Sequence, residues 1–473
     1  MSTSLIEELR HVVGAENVLT GLFAAPYCKD KRGNYSGTAL AVVLPLDTQQ
    51  VSAVVKLCTS QRVAIVPQGG NTSLCGASVP LAQIDRAAYD HQVVINLSRM
   101  AAIRSVDAVN YTISVEAGCT LAHVREAAAQ NNRLFPLSLT AIDTWCEIGG
   151  NLSTNAGGIG VLRYGNTRDL VLGLEVVLAD GRIWNGLRSL RKDNTGYELK
   201  HLFIGAEGTL GIITAAVLKL FPRPLSQATA CVAVRDPATA VALLSHLRAT
   251  CGDRISAFEI IGHSCLDLVL KYFPDCKEPF QQSHPWIVVT ELSDVLHVPL
   301  VSALQDSIKS FSEGGISEYL ITDDQLQSAA WWSLRKNISD AQKLDGISIK
   351  HDISVPISNV AAFIEKADTA LKHEFPGVRI VAFGHIGDGN IHYNASMPEP
   401  VKNAPFLAHS SQVNRIVYDI VAQLDGSISA EHGLGQLKRN EINRYKNELE
   451  LELMRSIKKT LDPQGLMNPG KVI

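Results

Sequence analysis

Arg62-Val-Ala-Ile-Val-Pro67 runs straight into Gln68-Gly-Gly-Asn-Thr-Ser73, with Gly76 close behind. The first six residues read as a buried strand. The next six read as a loop whose missing side-chain bulk lets backbone N–H groups converge on one point. Such a nest suits a phosphate, and Asn71, Thr72 and Ser73 add neutral donors. The chemistry recurs in Ile148-Gly-Gly-Asn-Leu-Ser-Thr-Asn-Ala-Gly-Gly158. A third glycine loop, Ile204-Gly-Ala-Glu-Gly-Thr-Leu-Gly211, leads into a strand over 212–220. None of the three fits G-x-G-x-x-G or G-x-x-x-x-G-K-[ST], which excludes the Rossmann and Walker arrangements. One such loop would read as a plain turn. Three, each lacking lysine, read as a cradle for a pyrophosphate and the ring system attached to it.

The pattern changes near Pro222-Arg-Pro224. Beyond it the sequence predicts a strand over 229–234, a helix over 237–250 and a strand over 255–261. The order repeats with a strand over 285–292, a helix over 298–312 and a strand over 318–322. Repeated β-α-β units of this kind predict an α+β sandwich, a sheet with helices on one face. Trp331-Trp-Ser-Leu-Arg-Lys-Asn-Ile-Ser339 reads as helical, and Ile349-Lys-His-Asp-Ile-Ser-Val-Pro356 as a strand ending in proline.

Phe383-Gly-His-Ile-Gly-Asp-Gly-Asn-Ile-His-Tyr-Asn394 reads as a tight hairpin. Asp388-Gly389 is a dipeptide favoured by two-residue turns, because both positions accept positive φ. That register pairs Gly387 with Asn390, Ile386 with Ile391 and His385 with His392. Directly opposed residues share a face with Cβ atoms roughly 5 Å apart. Asn394 points to the same face. Two imidazoles so placed can chelate a divalent metal, and a third ligand would leave positions open for substrate.

The chain has 473 residues, enough for two or three domains, and a net charge of −4 with both signs mixed. No basic tract suggests nucleic acid or an anionic membrane surface. The acidic start, Met1-Ser-Thr-Ser-Leu-Ile-Glu-Glu-Leu-Arg10, does not read as a signal peptide, and no apolar run is long enough to span a bilayer. Nine scattered cysteines without a C-x-x-C pair argue against a disulfide framework, an iron–sulfur cluster or a zinc knuckle. The expected setting is the reducing cytoplasm.

The three loops, with Arg163-Tyr164-Gly165 and Leu190-Arg-Lys-Asp-Asn-Thr-Gly-Tyr197, resemble the flavin domain of the vanillyl-alcohol oxidase/PCMH superfamily. The second half resembles the C-terminal FAD-linked oxidase domain of the D-2-hydroxyacid dehydrogenases. Phe383–Asn394, Ile428-Ser-Ala-Glu-His-Gly433 and Leu461-Asp-Pro-Gln-Gly-Leu-Met-Asn-Pro-Gly-Lys471 are its diagnostic strings. The resemblance implies an α+β chain in three parts. These are a PCMH-type FAD-binding domain over 1–224, a ferredoxin-like substrate (cap) domain with the metal-binding hairpin over 225–425, and a C-terminal segment over 426–473 that completes the active site.

It further implies that Pro67, Gly69, Gly70, Asn71, Thr72, Ser73 and Gly76 hold the FAD pyrophosphate. Gly149, Gly150, Ser153, Thr154, Asn155 and Gly158 would lie along the cofactor. Pro136, Ser138, Glu207, Gly208, Ile213 and Asn468 would complete the pocket. Some relatives attach the flavin through a histidine of the first loop; Asn71-Thr72-Ser73 stands there in this chain, implying noncovalent FAD.

His385, His392 and Glu431 match the ligands of a divalent ion, with zinc, manganese and cobalt all suited to two imidazoles and a carboxylate. His432 matches the residue proposed as general base, and Asn394 would contact substrate near the metal. Arg335, Ser339 and Lys350 match a cluster that holds carboxylates, with serine where threonine is usual. Arg335 and Ser339, four apart, would share a helix face.

Oxidising a 2-hydroxy acid removes a proton from oxygen and a hydride from carbon. A Lewis-acidic metal, an imidazole base and a flavin meet those needs. Arginine with lysine favours a dicarboxylate, D-2-hydroxyglutarate yielding 2-oxoglutarate, over lactate. D-lactate or glycolate oxidation on the same scaffold is the nearer alternative, and a noncatalytic flavin-binding redox subunit the more distant one. No nicotinamide motif is present, so electrons would leave to an electron-transfer flavoprotein or a quinone. Such enzymes commonly form homodimers.

Overall fold

Residues 2–31, 33–82, 88–139 and 144–473 are described by the computed structural model. The chain divides into two units. One comprises Met1–Gly157, Asn166–Pro222 and Glu431–Ile473; the other comprises Gly158–Gly165 and Arg223–Ala430.

The first unit holds two main sheets. Strands β1 (Val18–Leu19), β2 (Ala41–Val43), β3 (Ala64–Gln68) and β4 (Gln92–Asn96) lie in the order β1-β2-β4-β3, with β2 and β3 parallel to β4. The helix Thr48–Ser60 starts at Asp47, whose carboxylate accepts from the Gln50 N–H at 2.8 Å. Such a cap satisfies one of the N–H groups the first turn leaves unpaired. Its Val51, Val54, Val55 and Cys58 pack in one core with Val43, Ile65, Val93 and Ile95.

Strands β5 (Ile103–Asp107) and β6 (Thr112–Glu116) are followed by the short β7 (Arg133–Leu134), then β8 (Val171–Val177), β9 (Ile183–Gly186), β10 (Ile212–Lys219) and the short β11 (Phe221–Pro222). Five of these make an antiparallel sheet in the order β5-β6-β10-β8-β9, and β11 pairs with β7. The C-terminal tail lies along β3. The Ile65 N–H donates to Leu466 O and the Asn468 N–H to Ile65 O, both at 2.8 Å.

The second unit is built on β12 (Ser226–Val234), β13 (Ile255–Gly262), β14 (Trp286–Asp294), β15 (Ile316–Thr322), β16 (Ile349–Ser354), β17 (Arg379–Gly384) and β18 (Asn390–Ser396). They form one antiparallel sheet in the order β15-β12-β14-β13-β17-β18-β16. The strands and helices expected between 229 and 322 are all present, with ends shifted by up to three residues.

The single covered face expected for this sheet is corrected. All eight residues of β13 are buried, so both faces need cover. On one face, Ile261, Val289, Val381 and Phe383 share a core with the helices His263–Tyr272, Gln325–Lys336 and Ile338–Asp345. On the other, Tyr393 meets Phe363 of the helix Val360–Glu374 edge-on at 5.3 Å, and His351 meets Tyr418 of the helix Ser410–Gln423 at 5.4 Å.

Candidate active site

In the second unit the hairpin β17–β18 brings two histidines together by a different register from the one expected. Phe383, not His385, stands opposite His392. The connection is the five-residue stretch 385–389, and its cause is tertiary. The Gly387 N–H donates to Phe258 O of β13 at 3.2 Å, and the Arg248 Nη2 donates to Gly387 O at 3.0 Å. Gly389, at φ +87°, passes so close to the segment after β16 that a Cβ there would lie 2.2 Å from Val355 O. These contacts override the two-residue turn. The two imidazoles still converge, with ring centroids 5.5 Å apart.

Each histidine is backed by a carboxylate. Glu259 of β13 lies with Oε1 2.6 Å from His385 Nδ1 and Oε2 2.6 Å from Arg335 Nε. Burial opposes ionisation of this carboxyl, yet its pKa is held below the ordinary value because the charges of His385 and Arg335 outweigh that penalty. Asp352 of β16 stands opposite His392, its Oδ1 3.5 Å from His392 Nδ1, and accepts from Asn390 Nδ2 at 2.9 Å.

The sequence reading missed both acids. A lone carboxylate has no spacing to announce it. The available signal was a charged residue inside strands whose neighbours are apolar, since such residues are buried only when paired. Pairing Ile349–Ser354 against the hairpin would have exposed Asp352 as well.

Strand alternation puts Lys350, Asp352, His392 and Asn394 on one face. Lys350 is exposed there; Asn394 is buried, donating from Nδ2 to Gln342 Oε1 at 3.0 Å and accepting the His351 N–H at 3.2 Å. Arg335 is buried, with its guanidinium over the Phe383 ring at 4.7 Å. The continuous helix expected over 331–339 is broken at Asn337. Arg335 lies in the last turn of one helix, while Ser339 lies exposed in the next. Arg163 of the short helix Val161–Tyr164 donates to Ser293 O at 2.8 Å.

In the first unit, Pro67 lies in β3, whose end delivers the first glycine loop. Among the described residues, the backbone N–H groups of 69–74 donate to no protein acceptor. A run of free N–H groups is the donor set a pyrophosphate needs, so FAD fits this chain. Asn71 has φ +52°; its Nδ2 donates to Lys29 O at 2.8 Å and its Oδ1 accepts from Ser78 Oγ at 2.8 Å. Gly76 passes against the Tyr35 ring, where a Cβ would come within 2.7 Å.

The second glycine stretch is corrected from loop to helix over Ile148–Ser153. Ser153 donates to Gly149 O at 2.7 Å, Thr154 to Gly150 O at 3.1 Å, and Asn155 Oδ1 accepts the Arg168 N–H at 2.8 Å. Gly158 falls in the second unit. Pro136 is buried and Ser138 half-buried in the extended chain after β7, and Ile213 is buried in β10. The string 190–197 lines an open groove beside β9 with Trp184, Arg168 and Lys219.

Glu207 anchors the segment that carries Glu431 and His432. Its carboxylate accepts the Leu434 and Gly435 N–H groups at 2.7 and 2.9 Å, and burial, partly offset by those bonds, pushes its pKa up to about 7. A Cβ on Gly433 would lie 2.7 Å from Glu207 Oε1, so only glycine fits there. Gly208 packs on Pro67, and Asn468 Nδ2 donates to Glu207 O at 2.7 Å and Ala77 O at 3.1 Å. Glu431 and His432 are half-buried neighbours, with Glu431 Oε1 3.9 Å from His432 Nε2.

A glycine cradle with free N–H donors on a two-sheet unit, followed by a carboxylate-backed histidine pair on a seven-stranded sheet, suits a flavin-dependent oxidoreductase. Comparison with known proteins agrees. Residues 39–186 match the FAD binding domain, and 223–472 match "FAD linked oxidases, C-terminal domain". The chain belongs to the FAD-linked oxidases, as an FAD-dependent hydroxyacid dehydrogenase.

It is 38% identical over 440 residues to the mitochondrial D-2-hydroxyglutarate dehydrogenase of Arabidopsis thaliana, covering 93% of this chain and 76% of that one. Against the D-2-hydroxyglutarate dehydrogenase of Xanthomonas citri pv. viticola the identity is 36% over 446 residues, covering 94% and 92%. Among solved structures, p-cresol methylhydroxylase superposes with a TM-score of 0.76 at 19% identity, covering 99% of this chain and 96% of that one. Alkyldihydroxyacetonephosphate synthase gives 0.73 at 18% identity, covering 99% and 84%. Those likenesses show the PCMH-type fold. Among the described residues no helix is long and apolar enough to cross a membrane.

Proposed function

We propose that this protein oxidises D-2-hydroxyglutarate to 2-oxoglutarate with metal assistance. The observation that carries the reading is the imidazole pair of His385 and His392, 5.5 Å apart and each backed at Nδ1 by a buried carboxylate. Backing of that kind is what metal-bound histidines need. Relatives at 36–38% identity are named for D-2-hydroxyglutarate, which supports the substrate.

His385, His392 and Glu431 would hold a divalent ion, for which zinc is our choice. The Ala430 N–H donates to Asp352 O at 3.2 Å, so the residue before Glu431 is tied to β16, the strand paired with the one that carries His392. The ion, when bound, supplies a Lewis acid for the 2-hydroxy acid oxygens; FAD, when bound, accepts the hydride from C2. Arg335, Lys350 and Ser339 hold the distal carboxylate, and Asn394 contacts the substrate near the metal. His432 takes the hydroxyl proton on its imidazole. One proton and one hydride leave the substrate, and the C2–O bond becomes a carbonyl.

In this reading Pro67, the cradle over 69–76, the stretch 149–158, Pro136, Ser138, Glu207, Gly208, Ile213 and Asn468 hold FAD noncovalently. The domain over 1–224 is the flavin part, 225–425 the substrate part, and 426–473 the segment that completes the site. Electrons pass on to an electron-transfer flavoprotein or a quinone. None of the nine cysteines is disulfide-bonded, which suits the reducing cytoplasm, although some relatives are named as mitochondrial.

Anaerobic mixing with D-2-hydroxyglutarate, its L-isomer and D-lactate, followed at the visible flavin band, tests the proposal. Bleaching by D-2-hydroxyglutarate alone supports it. Bleaching by D-lactate alone moves the substrate, and no bleaching in metal-replete protein overturns it.

A further inference from the structure

Glu259 is 1% exposed, yet it joins two side chains on which the proposed reaction depends. It occupies the middle of β13, a strand buried along its whole length. An isolated carboxylate there would be costly. Its two oxygens are divided between His385 Nδ1 and Arg335 Nε, each at 2.6 Å. Arg335 is further fixed by the Phe383 ring beneath its guanidinium, 4.7 Å away. The support of the other histidine is looser: Asp352 lies 3.5 Å from His392 Nδ1 and shares the same oxygen with Asn390.

We infer that Glu259 is a positioning residue for both halves of the site: it makes His385 a ligand through Nε2, and it aims the Nη groups of Arg335 at the distal carboxylate of the substrate. An imidazole that donates its Nδ1–H to a carboxylate presents the lone pair of Nε2 outward, with its tautomer and ring plane fixed. A guanidinium bound at Nε keeps its Nη donors for a second carboxylate. One side chain thus sets metal ligand and substrate anchor in register. The inference rests on the metal-assisted reading above.

The test is zinc affinity of the flavin-loaded protein, measured by competition with a chromophoric chelator, together with KM for D-2-hydroxyglutarate. Glu259→Gln is expected to weaken zinc about 10–100-fold and to raise KM, with flavin content unchanged. Glu259→Asp keeps the charge but is too short to span both partners, and should fall between; it also serves if the glutamine variant does not fold. Wild-type zinc affinity in a folded Glu259 variant, while His385→Ala loses zinc, would overturn this inference alone. Weakened zinc with an unchanged KM would overturn the Arg335 half. Wild-type protein that binds no zinc, or His385→Ala that binds it normally, would instead overturn the underlying reading.

Discussion

Glu147 gives the protein a pH dependence that one substitution should largely reduce. The residue is 7% exposed, its Oε2 has no hydrogen-bond partner among the described residues, and a Cβ on Gly69 of the first glycine loop would lie 3.1 Å from that oxygen. Burial pushes its pKa from an ordinary 4.5 up to about 8. At about 1.4 kcal/mol per pH unit, that difference is worth on the order of 5 kcal/mol, less whatever partial solvent access screens.

The folded value lies above the unfolded one. The stability linked to the neutral acid is therefore complete below the unfolded pKa and lost as pH rises through about 8. Glu147→Gln keeps the shape and cannot ionise. Urea unfolding at about pH 5, 7 and 9, at matched flavin content, should show the wild type losing a few kcal/mol towards alkaline pH and the variant losing much less. The same ionisation places negative charge beside the loop meant for a pyrophosphate, so wild-type protein should also release FAD more readily than the variant at about pH 9. Parallel stability curves for the two proteins would refute the reasoning.

His385→Ala or His392→Ala should lower bound metal and turnover at least tenfold while leaving flavin in place, checked by metal analysis beside the flavin spectrum. Lys350→Ala should raise KM for D-2-hydroxyglutarate roughly tenfold, far more than for D-lactate, in steady-state assays with both acids. Gly389→Ala forces a side chain to φ +87° and against Val355 O; a stability loss of about 2 kcal/mol or more is expected in denaturant titration, with weaker metal binding.

The legible parts of this fold were those written in local pattern. The strand–helix–strand repeat between 229 and 322 showed in runs of alternating or continuous apolar residues, and these form at the expected places. What local pattern did not carry was pairing across the sheet. The Asp388-Gly389 dipeptide favoured a two-residue turn, yet Phe258, more than a hundred residues earlier, holds Gly387 and lengthens the connection. Glu259 and Asp352 were invisible for the same reason, since each gains its meaning from a strand neighbour distant in sequence. The string Ile148–Ser153 misled differently. Glycine and serine there suggested a loop, whereas Ser153 bonds back to Gly149 O and closes a helical turn.

The closure of β3 by residues 466–468 has a consequence for biosynthesis. About 400 residues separate that strand from its partner, which is roughly 20–80 s of translation at ordinary rates. During that interval the edge of β3 stays open, a template for pairing with another nascent chain. The unit containing 223–430 has all its strands earlier and can close while the flavin-binding unit still waits for its last segment. Loss of residues 462–473 would therefore strike a sheet whose other strands were made hundreds of residues earlier.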